Sequence, residues 1–450
     1  MQAVTPGSHA SLPQRPAATL AVLTGVNAFN YLDRFITAPV LPLIIAGLHL
    51  SDAQAGLLQT VFILVYALAC PLSGWLGDRR APHAAVDMGT LKGFPNPPAM
   101  VRRRLSRRAP HAITRLNIAA AGVAVWSLAT FASGLAASFA WLVLARAVVG
   151  IGEASYTVVT PSLLSDHYPP GRRGRALSIF YAAMPVGIAL GYGLGGQIGA
   201  RFGWRPAFFV AGGPGLALAF ALLFLREPPR GRFDEKSKPA TSLRQTIEAL
   251  RSRPSFFFNM AGQTIFTFGM GGLGAWMPTY FVRERGLGVG AAGTIFGALL
   301  LTAGFLGTIV GGQAGDRLAR RFPGAHFSFS GWALVVSAPF TLAAVLSPAP
   351  ALFWPAMFIT LLLLFVNMGP LNAAMVNVLP PDLRARGVGL HTATIHLLGD
   401  ALSPFLIGVV SDSIGLRIPV LLTGLLLPLA GLVLLIGRRR LVADLAARSS

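Results

Sequence analysis

Long apolar stretches alternate with short polar segments along almost the whole chain. A helix needs about 20 apolar residues to cross a bilayer, and twelve segments approach or exceed that length. The predicted spans are 18–47, 54–76, 117–136, 138–166, 173–199, 204–226, 255–282, 289–314, 327–347, 351–379, 384–412 and 416–437. This pattern predicts an all-α membrane protein with twelve transmembrane helices.

Two matching six-residue runs end the second and the eighth predicted spans. They read Gly-Trp-Leu-Gly-Asp-Arg at 74–79 and Gly-Gln-Ala-Gly-Asp-Arg at 312–317. Because the runs occupy equivalent places, the chain is predicted to be duplicated into two pseudo-symmetric six-helix bundles. Glycine allows close helix approach, and the aspartate can accept hydrogen bonds from a helix N-terminus or pair with arginine. Contacts that form in one conformation and break in the other would control access, so we predict a gating motif, with a simple loop-end salt bridge as the structural alternative. Its residues are Gly74, Gly77, Asp78, Arg79, Gly312, Gly315, Asp316 and Arg317.

The apolar pattern also predicts how the chain is divided. A disordered tail, 1–17, precedes the first bundle, and a polar linker containing a short surface helix separates the bundles. The first half is longer than the second. Its sequence Arg-Arg-Ala-Pro-His-Ala at 79–84 recurs at 107–112, and this direct repeat predicts an inserted loop segment over 84–111. The remaining predicted units are the bundles 18–226 and 255–437, the linker 227–254 and the tail 438–450.

Composition fits a membrane protein, and the distribution of charge predicts its orientation. Hydrophobic residues make up 54% of the chain and charged residues 12%, with a mean hydropathy of +0.62. A net charge of +21 suggests nucleic acid, but 30 of the 37 lysines and arginines fall in tails and loops on one side. That asymmetry predicts cytosolic termini, with anionic lipids as neighbours and no nucleic-acid partner. Because the sequence shows no organelle address, the cell inner membrane is the expected location.

Four charged residues interrupt the apolar pattern of the first and fourth spans. Asp33 and Arg34 lie near the middle of the first span, and Arg146 and Glu153 lie seven residues apart on one face of the fourth. Each charge costs about 2.5–3.5 kcal/mol at the centre of a membrane helix. Two acids and two bases can neutralise one another, so we predict a shared polar network. Ion pairs that only fix helix packing remain the structural alternative.

Several other polar residues could face a central cavity or could join helices by hydrogen bonds. The candidates are Asn259, Gln263, Asn367, Asn372, His396 and Asp400. A second feature is a stripe of glycines, at intervals of four, in the fifth span. Small residues let helices pack closely, so this stripe is predicted to lie at the interface between the two bundles. Its members are Gly187, Gly191, Gly195 and Gly199.

The residue inventory argues against an ATP-driven pump and against a membrane enzyme. The three lysines, Lys92, Lys236 and Lys238, lie in polar segments and not in a glycine-rich phosphate-binding run. The chain contains neither His-Glu-x-x-His nor Gly-x-Ser-x-Gly. We therefore expect no catalytic site, cofactor or metal. A single cysteine, Cys70, rules out an intrachain disulfide.

Three segments together resemble the Spinster family of the major facilitator superfamily. They are Asn-Tyr-Leu-Asp-Arg at 30–34, Arg-Ala-Val-Val-Gly-Ile-Gly-Glu-Ala at 146–154 and Gly-Asp-Ala-Leu-Ser-Pro at 399–404. The resemblance implies a major facilitator fold and export of lysophospholipids or sphingosine-type lipids, with proton coupling in bacterial relatives. It also implies that Asp33, Arg34, Arg146 and Glu153 form the coupling network, with Glu153 as the site of protonation.

The predicted function is therefore secondary active transport by alternating access. The expected partners are a small amphipathic substrate, protons and membrane lipids, and the expected state is a monomer. A drug/proton antiporter or a sugar or organic-ion symporter remains the alternative, because one scaffold serves many substrates.

Overall fold

A computed structural model describes residues 16–78, 114–229, 233, 243–379 and 383–449. The predicted insertion 84–111, Arg79 of the gating motif and most of the predicted N-terminal tail lie outside these residues. Within the described ranges the regular structure is helical, without a strand, as the apolar pattern predicts.

In its described residues, 16–78 and 114–229, the N-terminal half has six long helices. Ser138 begins the fourth helix as its N-cap, where its hydroxyl accepts a hydrogen bond from the backbone N–H of Trp141. Gly203 joins the fifth and sixth helices at a φ of +82°, a conformation that favours glycine. The six helices are α1 (Pro16–Leu48), α2 (Asp52–Asp78), α3 (Arg115–Gly134), α4 (Phe139–His167), α5 (Pro170–Phe202) and α6 (Trp204–Leu223).

The C-terminal half follows a short linker helix and is more segmented. A π-helical turn, His396–Asp400, connects two of its helices. In chain order the helices are α7 (Leu243–Arg251), α8 (Pro254–Arg285), α9 (Val289–Ala319), α10 (Ala325–Leu346), α11 (Pro350–Phe365), α12 (Met368–Val378), α13 (Arg384–Ile395), α14 (Ser403–Ile414) and α15 (Arg417–Ser449).

Eleven helical spans in the described ranges are long and apolar enough to cross a membrane. Helix α8, which occupies the predicted span 255–282, is not one of these eleven; it has 32 residues and contains the polar residues Asn259 and Gln263. The predicted span 351–379 is divided in the structure between α11 and α12. There the Asn367 amide donates hydrogen bonds to the carbonyls of Leu363 and Leu364, and Pro370 lacks a backbone N–H, so the α-helical ladder is interrupted.

The two ends of the molecule differ in their connections, and we name them accordingly. The linker side carries the 224–253 connection and the end of α15, and the short-loop side carries brief turns such as 49–51 and 286–288. Near the short-loop side, Val40 and Ile44 of α1 belong to one hydrophobic core that continues into the C-terminal half. The linker-side part of the N-terminal half has a largely separate core. The halves therefore meet mainly near the short-loop side.

The last helix is longer than its apolar segment. The predicted tail 438–450 is helical as far as Ser449. Leu441 is buried, and the Asp444 carboxylate accepts hydrogen bonds of 2.9 Å from the backbone N–H of Ser255 and 2.5 Å from its hydroxyl. Asp444 therefore caps the start of α8, and this contact stabilises the extension of α15.

Candidate functional site

The four charged residues of the predicted network come together where α1 crosses α4. The Arg34 guanidinium donates hydrogen bonds of 2.7 and 3.0 Å from Nη2 and Nε to the same oxygen, Oε2, of Glu153. Glu153 is fully buried, whereas 15% of the Arg34 side chain is exposed. The structure thus pairs the Glu153 carboxylate with Arg34 on α1.

A second, looser pair lies beside the first. The Arg146 Nη1 atom is 3.9 Å from the Asp33 Oδ1 atom, and both side chains are buried. The Thr130 hydroxyl of α3 donates a 2.5 Å hydrogen bond to the other Asp33 oxygen. Sequence analysis missed Thr130, because a threonine in an apolar helix carries no signal of its own. Three helices therefore hold the four charges.

Aromatic rings surround the two guanidinium groups. Arg34 lies 4.5 Å from the ring centre of Tyr66 and 5.3 Å from those of Tyr31 and Phe62. Arg146 lies 4.6 Å from the Phe62 ring centre, so Phe62 contacts both cations. Such cation–π contacts stabilise charge in a dry environment. Phe62 and Tyr66 are four residues apart on α2, a spacing that would have identified a shared aromatic face.

The network leaves some of its polar atoms without hydrogen bonds. Among the described residues, the Arg146 guanidinium nitrogens and Glu153 Oε1 make none. Buried charges without full hydrogen bonding depend strongly on their neighbours' charges, because the low dielectric enhances each attraction. Adding one proton to one of these four side chains would therefore substantially change the electrostatic interactions among all four.

In the C-terminal half, the π-helical turn brings two predicted cavity residues together. His396 Nδ1 lies 2.9 and 3.0 Å from the two Asp400 carboxylate oxygens, and both side chains are partly exposed. A Cβ atom at Gly399 would approach the Thr264 carbonyl of α8 to 3.0 Å. The π-helical turn thus packs closely against α8. Such turns are frequent at functional sites.

The other predicted cavity residues do not form a common site. Asn259 is buried and donates to the Leu371 carbonyl, and Gln263 donates to the Asn259 side chain. Asn367 is buried at the break after α11, and Asn372 is exposed and donates to the Met368 carbonyl. Asn259, Gln263 and Asn367 are thus buried and hydrogen-bonded to helix groups, which is the alternative given for them from the sequence, and their cavity role stays a prediction.

The twin glycine motifs occupy equivalent helix contacts. A Cβ atom at Gly77 would lie 3.0 Å from Val159 of α4, and one at Gly315 would lie 2.6 Å from Pro370 of α12. Gly74 also packs on α4, and Gly312 lies close to Gly369 of α12. Asp316 and Arg317 are exposed. The Asp78 side chain and Arg79 lie outside the described residues. Their gating role stays a prediction.

Polar contacts join the halves at the short-loop side. The Arg283 guanidinium of α8 donates bonds of 2.7 and 2.9 Å to the two oxygens of Asp52 at the start of α2. The Ser411 hydroxyl of α14 donates to Asp52 at 2.6 Å. Asp412 accepts from the backbone N–H groups of Asp52 and Ala53 at 2.7 and 3.0 Å. Sequence analysis missed this cluster, because it joins three chain segments that are more than 100 residues apart in the sequence.

Helices α5 and α9 form a second seam between the halves. Gln197 donates to the Gly290 carbonyl at 3.2 Å and to the Thr294 hydroxyl at 3.0 Å. Gly293 approaches the backbone of Gly196 so closely that a Cβ atom would lie 3.1 Å away. The predicted location of the α5 glycine stripe was wrong: Gly187, Gly191, Gly195 and Gly199 pack against α1 within the N-terminal half.

Comparison with known proteins matches this architecture. A family profile described as Major Facilitator Superfamily matches residues 23–86 and 112–404. The chain belongs to this superfamily. Protein spinster homolog 1 of Xenopus tropicalis is 33% identical over 413 residues, which cover 87% of this chain and 72% of that protein. The resemblance to the Spinster family is thereby confirmed.

Solved structures show the same relationship. A crystal structure of a bacterial homolog to the human lysosomal transporter Spinster, in an inward-facing and unoccupied conformation, has a TM-score of 0.81. It is 25% identical, with 97% of this chain and 99% of that chain covered. A D-xylose-proton symporter, 16% identical with a TM-score of 0.67 and coverages of 93% and 97%, shares the fold. The chain is therefore a multi-pass membrane transporter and not an enzyme.

Proposed function

We propose that this transporter moves a lipid-like or amphipathic small molecule by alternating access and that protons drive the movement. It acts as a monomer in the cell inner membrane, with both termini and the linker in the cytosol. The alternating movement uses the two halves as rigid units around a site between them.

The buried pairing of Glu153 with Arg34 carries this proposal. Two carboxylates and two guanidinium groups balance to zero formal charge, and Arg34 reaches Glu153 through a single oxygen. A proton on Glu153 removes its attraction for Arg34 and leaves two cations facing one anion, Asp33. Arg34 is then less firmly held, and the balance between the two open states changes.

The surroundings of Arg34 support an amphipathic substrate. A partly exposed cation among Tyr31, Phe62 and Tyr66 offers a polar anchor beside apolar surface. A small cavity of about 40 Å³ lies in the C-terminal half and is lined by Met270, Met277 and other apolar side chains. Methionine side chains adapt readily, so this region could widen around an apolar group when the halves separate.

Proteoliposomes with an imposed pH gradient test the coupling. In Glu153→Gln we expect transport to lose its response to the gradient, because glutamine matches protonated glutamate in shape and cannot release the proton. Glu248→Gln, an exposed carboxyl on α7, is the matched control and should retain the response. An unchanged gradient response in Glu153→Gln contradicts the proposed coupling.

A substrate panel tests the chemical class separately. Lysophospholipids, sphingoid bases, cationic drugs and sugars are offered in turn to the purified wild-type protein in proteoliposomes. We expect accumulation of amphipathic compounds and not of sugars, because apolar and aromatic side chains dominate near Arg34. Transport of a sugar alone would reject the proposed substrate class and leave the superfamily assignment intact.

A further inference from the structure

We propose that the outer face of α15, together with the loop between α9 and α10, binds the phosphate of an anionic phospholipid in the linker-side leaflet. The site lies on the outside of the C-terminal half. It is separate from the charged network on α1 and α4, so it does not depend on the proposed substrate or on proton coupling.

A continuous apolar stripe on α15 leads to this site. Leu425, Leu429, Leu432 and Ile436 are between 37% and 68% exposed, and their spacings of four, three and four place them on one helix face. An exposed apolar face on a membrane helix contacts acyl chains. Ile436, the most exposed of the four, marks the linker-side end of this stripe.

Arginines replace apolar residues where the stripe reaches the linker side. Arg439 and Arg440 follow Ile436 by three and four residues, so they flank the line of the stripe one turn further on. A lipid whose acyl chain lies along the stripe would place its phosphate at this level. Guanidinium groups bind phosphate through paired, charge-assisted hydrogen bonds.

The neighbouring loop adds two more cations. Gly324, at a φ of +78°, packs so closely on α15 that a Cβ atom there would lie 3.1 Å from the Arg438 side chain. This contact holds the loop carrying Arg320 and Arg321 beside Arg438–Arg440. All five arginines are exposed. Among the described residues, their guanidinium groups make no hydrogen bond or ion pair that would compete with a ligand.

In the part of the chain that the structure describes, few acids neighbour this arginine cluster along α9 and α15. The Asp444 carboxylate faces inward and is occupied by Ser255, and Asp316 is the exposed acid one turn before Arg320. The cluster therefore keeps a strong positive charge. Trp332 of α10 is 58% exposed and follows Gly331, which packs against Gly431 of α15. Gly431 precedes Arg439 by eight residues, about 12 Å along the helix, so Trp332 lies at the level of the apolar stripe and of the lipid's acyl chains.

Native mass spectrometry of the full chain in neutral detergent tests the proposal. Phosphatidylglycerol and phosphatidylcholine are added at matched chain length, and retained lipid is measured for wild type and for R439Q/R440Q. We expect phosphatidylglycerol affinity to fall about thirtyfold, the effect of two surface arginines, with phosphatidylcholine unchanged. R172Q/R175Q removes two exposed arginines from the N-terminal half and should leave phosphatidylglycerol binding near the wild-type value.

The outcomes separate a local site from general attraction. Unchanged phosphatidylglycerol retention in R439Q/R440Q, or equal losses in both double variants, overturns the proposal. Brominated phosphatidylglycerol gives a second reading that does not require an arginine variant. It should quench wild-type fluorescence more strongly than brominated phosphatidylcholine, and W332F should remove the excess. If the excess quenching persists in W332F, the lipid does not lie beside α10 and α15.

Discussion

The contact between Asp52 and Arg283 should stabilise the closure of the short-loop side. Asp52→Asn is the smallest test, because it keeps the side-chain shape and removes the charge. In the structure, the Asp52 carboxylate accepts three side-chain hydrogen bonds from the C-terminal half, at 2.6, 2.7 and 2.9 Å. The substitution should therefore favour separation of the two halves at this end.

The magnitude follows from the partial burial of the pair. The Arg283 side chain is 33% exposed and that of Asp52 10%. Hydrogen bonds to charged groups contribute about 1.5–3 kcal/mol when buried, whereas exposed ion pairs contribute about 0–1 kcal/mol. We take about 1–3 kcal/mol for the loss, which shifts the ratio of open to closed short-loop states by roughly 5- to 150-fold.

Spin-label distances across the short-loop side measure this shift. Labels at Ala137→Cys and Ala349→Cys, exposed positions in opposite halves, are placed in a Cys70→Ala background. Asp52→Asn should increase the population at longer distance, and Arg283→Gln should do the same. The double variant should add little, because either single change already breaks the contact.

The control removes a charge on the same side without touching this contact. Arg201 is an exposed residue of α5 near the short-loop side, and Arg201→Gln should leave the distances unchanged. If Asp52→Asn also leaves them unchanged, or if the effects of Asp52→Asn and Arg283→Gln simply add, the pair does not stabilise closure and the reasoning is refuted.

Three further substitutions test other contacts. Gly293→Val should separate α5 from α9, because a Cβ atom at this position would meet Gly196 and Pro39. The same spin labels should then show longer distances across the short-loop side, and unchanged distances would contradict this prediction. Thr130→Val removes the hydrogen-bond donor to buried Asp33. It should lower the free energy of unfolding by about 1.5–3 kcal/mol and the melting temperature by several degrees. An unchanged melting temperature would show that this hydrogen bond adds no stability. Asp444→Asn weakens the cap of α8 by about 1 kcal/mol; faster proteolysis near the C-terminus would show it, and wild-type protection would contradict it.

Hydrophobic spacing was sufficient to predict the helices, and it was insufficient to predict their interruptions. A bilayer requires long apolar helices whatever their neighbours are, so the twelve spans can be read from the chain. The break at Asn367 depends on side-chain hydrogen bonds to the carbonyls of Leu363 and Leu364. The π-turn at His396–Asp400 accompanies close packing of Gly399 against α8. Both features are decided by local geometry that composition does not encode.

The members of the charged network could likewise be predicted from the sequence, whereas their pairing could not. The cost of burying charge singled out Asp33, Arg34, Arg146 and Glu153 from the sequence alone. Which cation meets which anion depends on how α1 and α4 cross, and the structure pairs Glu153 with Arg34.

The amino-acid sequence by itself determined the membrane class, the duplicated helical plan and the rare charges within the spans, because the bilayer penalises exposed backbone and isolated charge everywhere in the same way. Only the tertiary structure decided the partners across the molecule: Arg283 with Asp52, Thr130 with Asp33, and the α5 glycines with α1. Such contacts depend on where each helix lies and on how it is rotated about its axis. The residues in contact are far apart in the sequence, so their spacing along the chain does not identify them as partners.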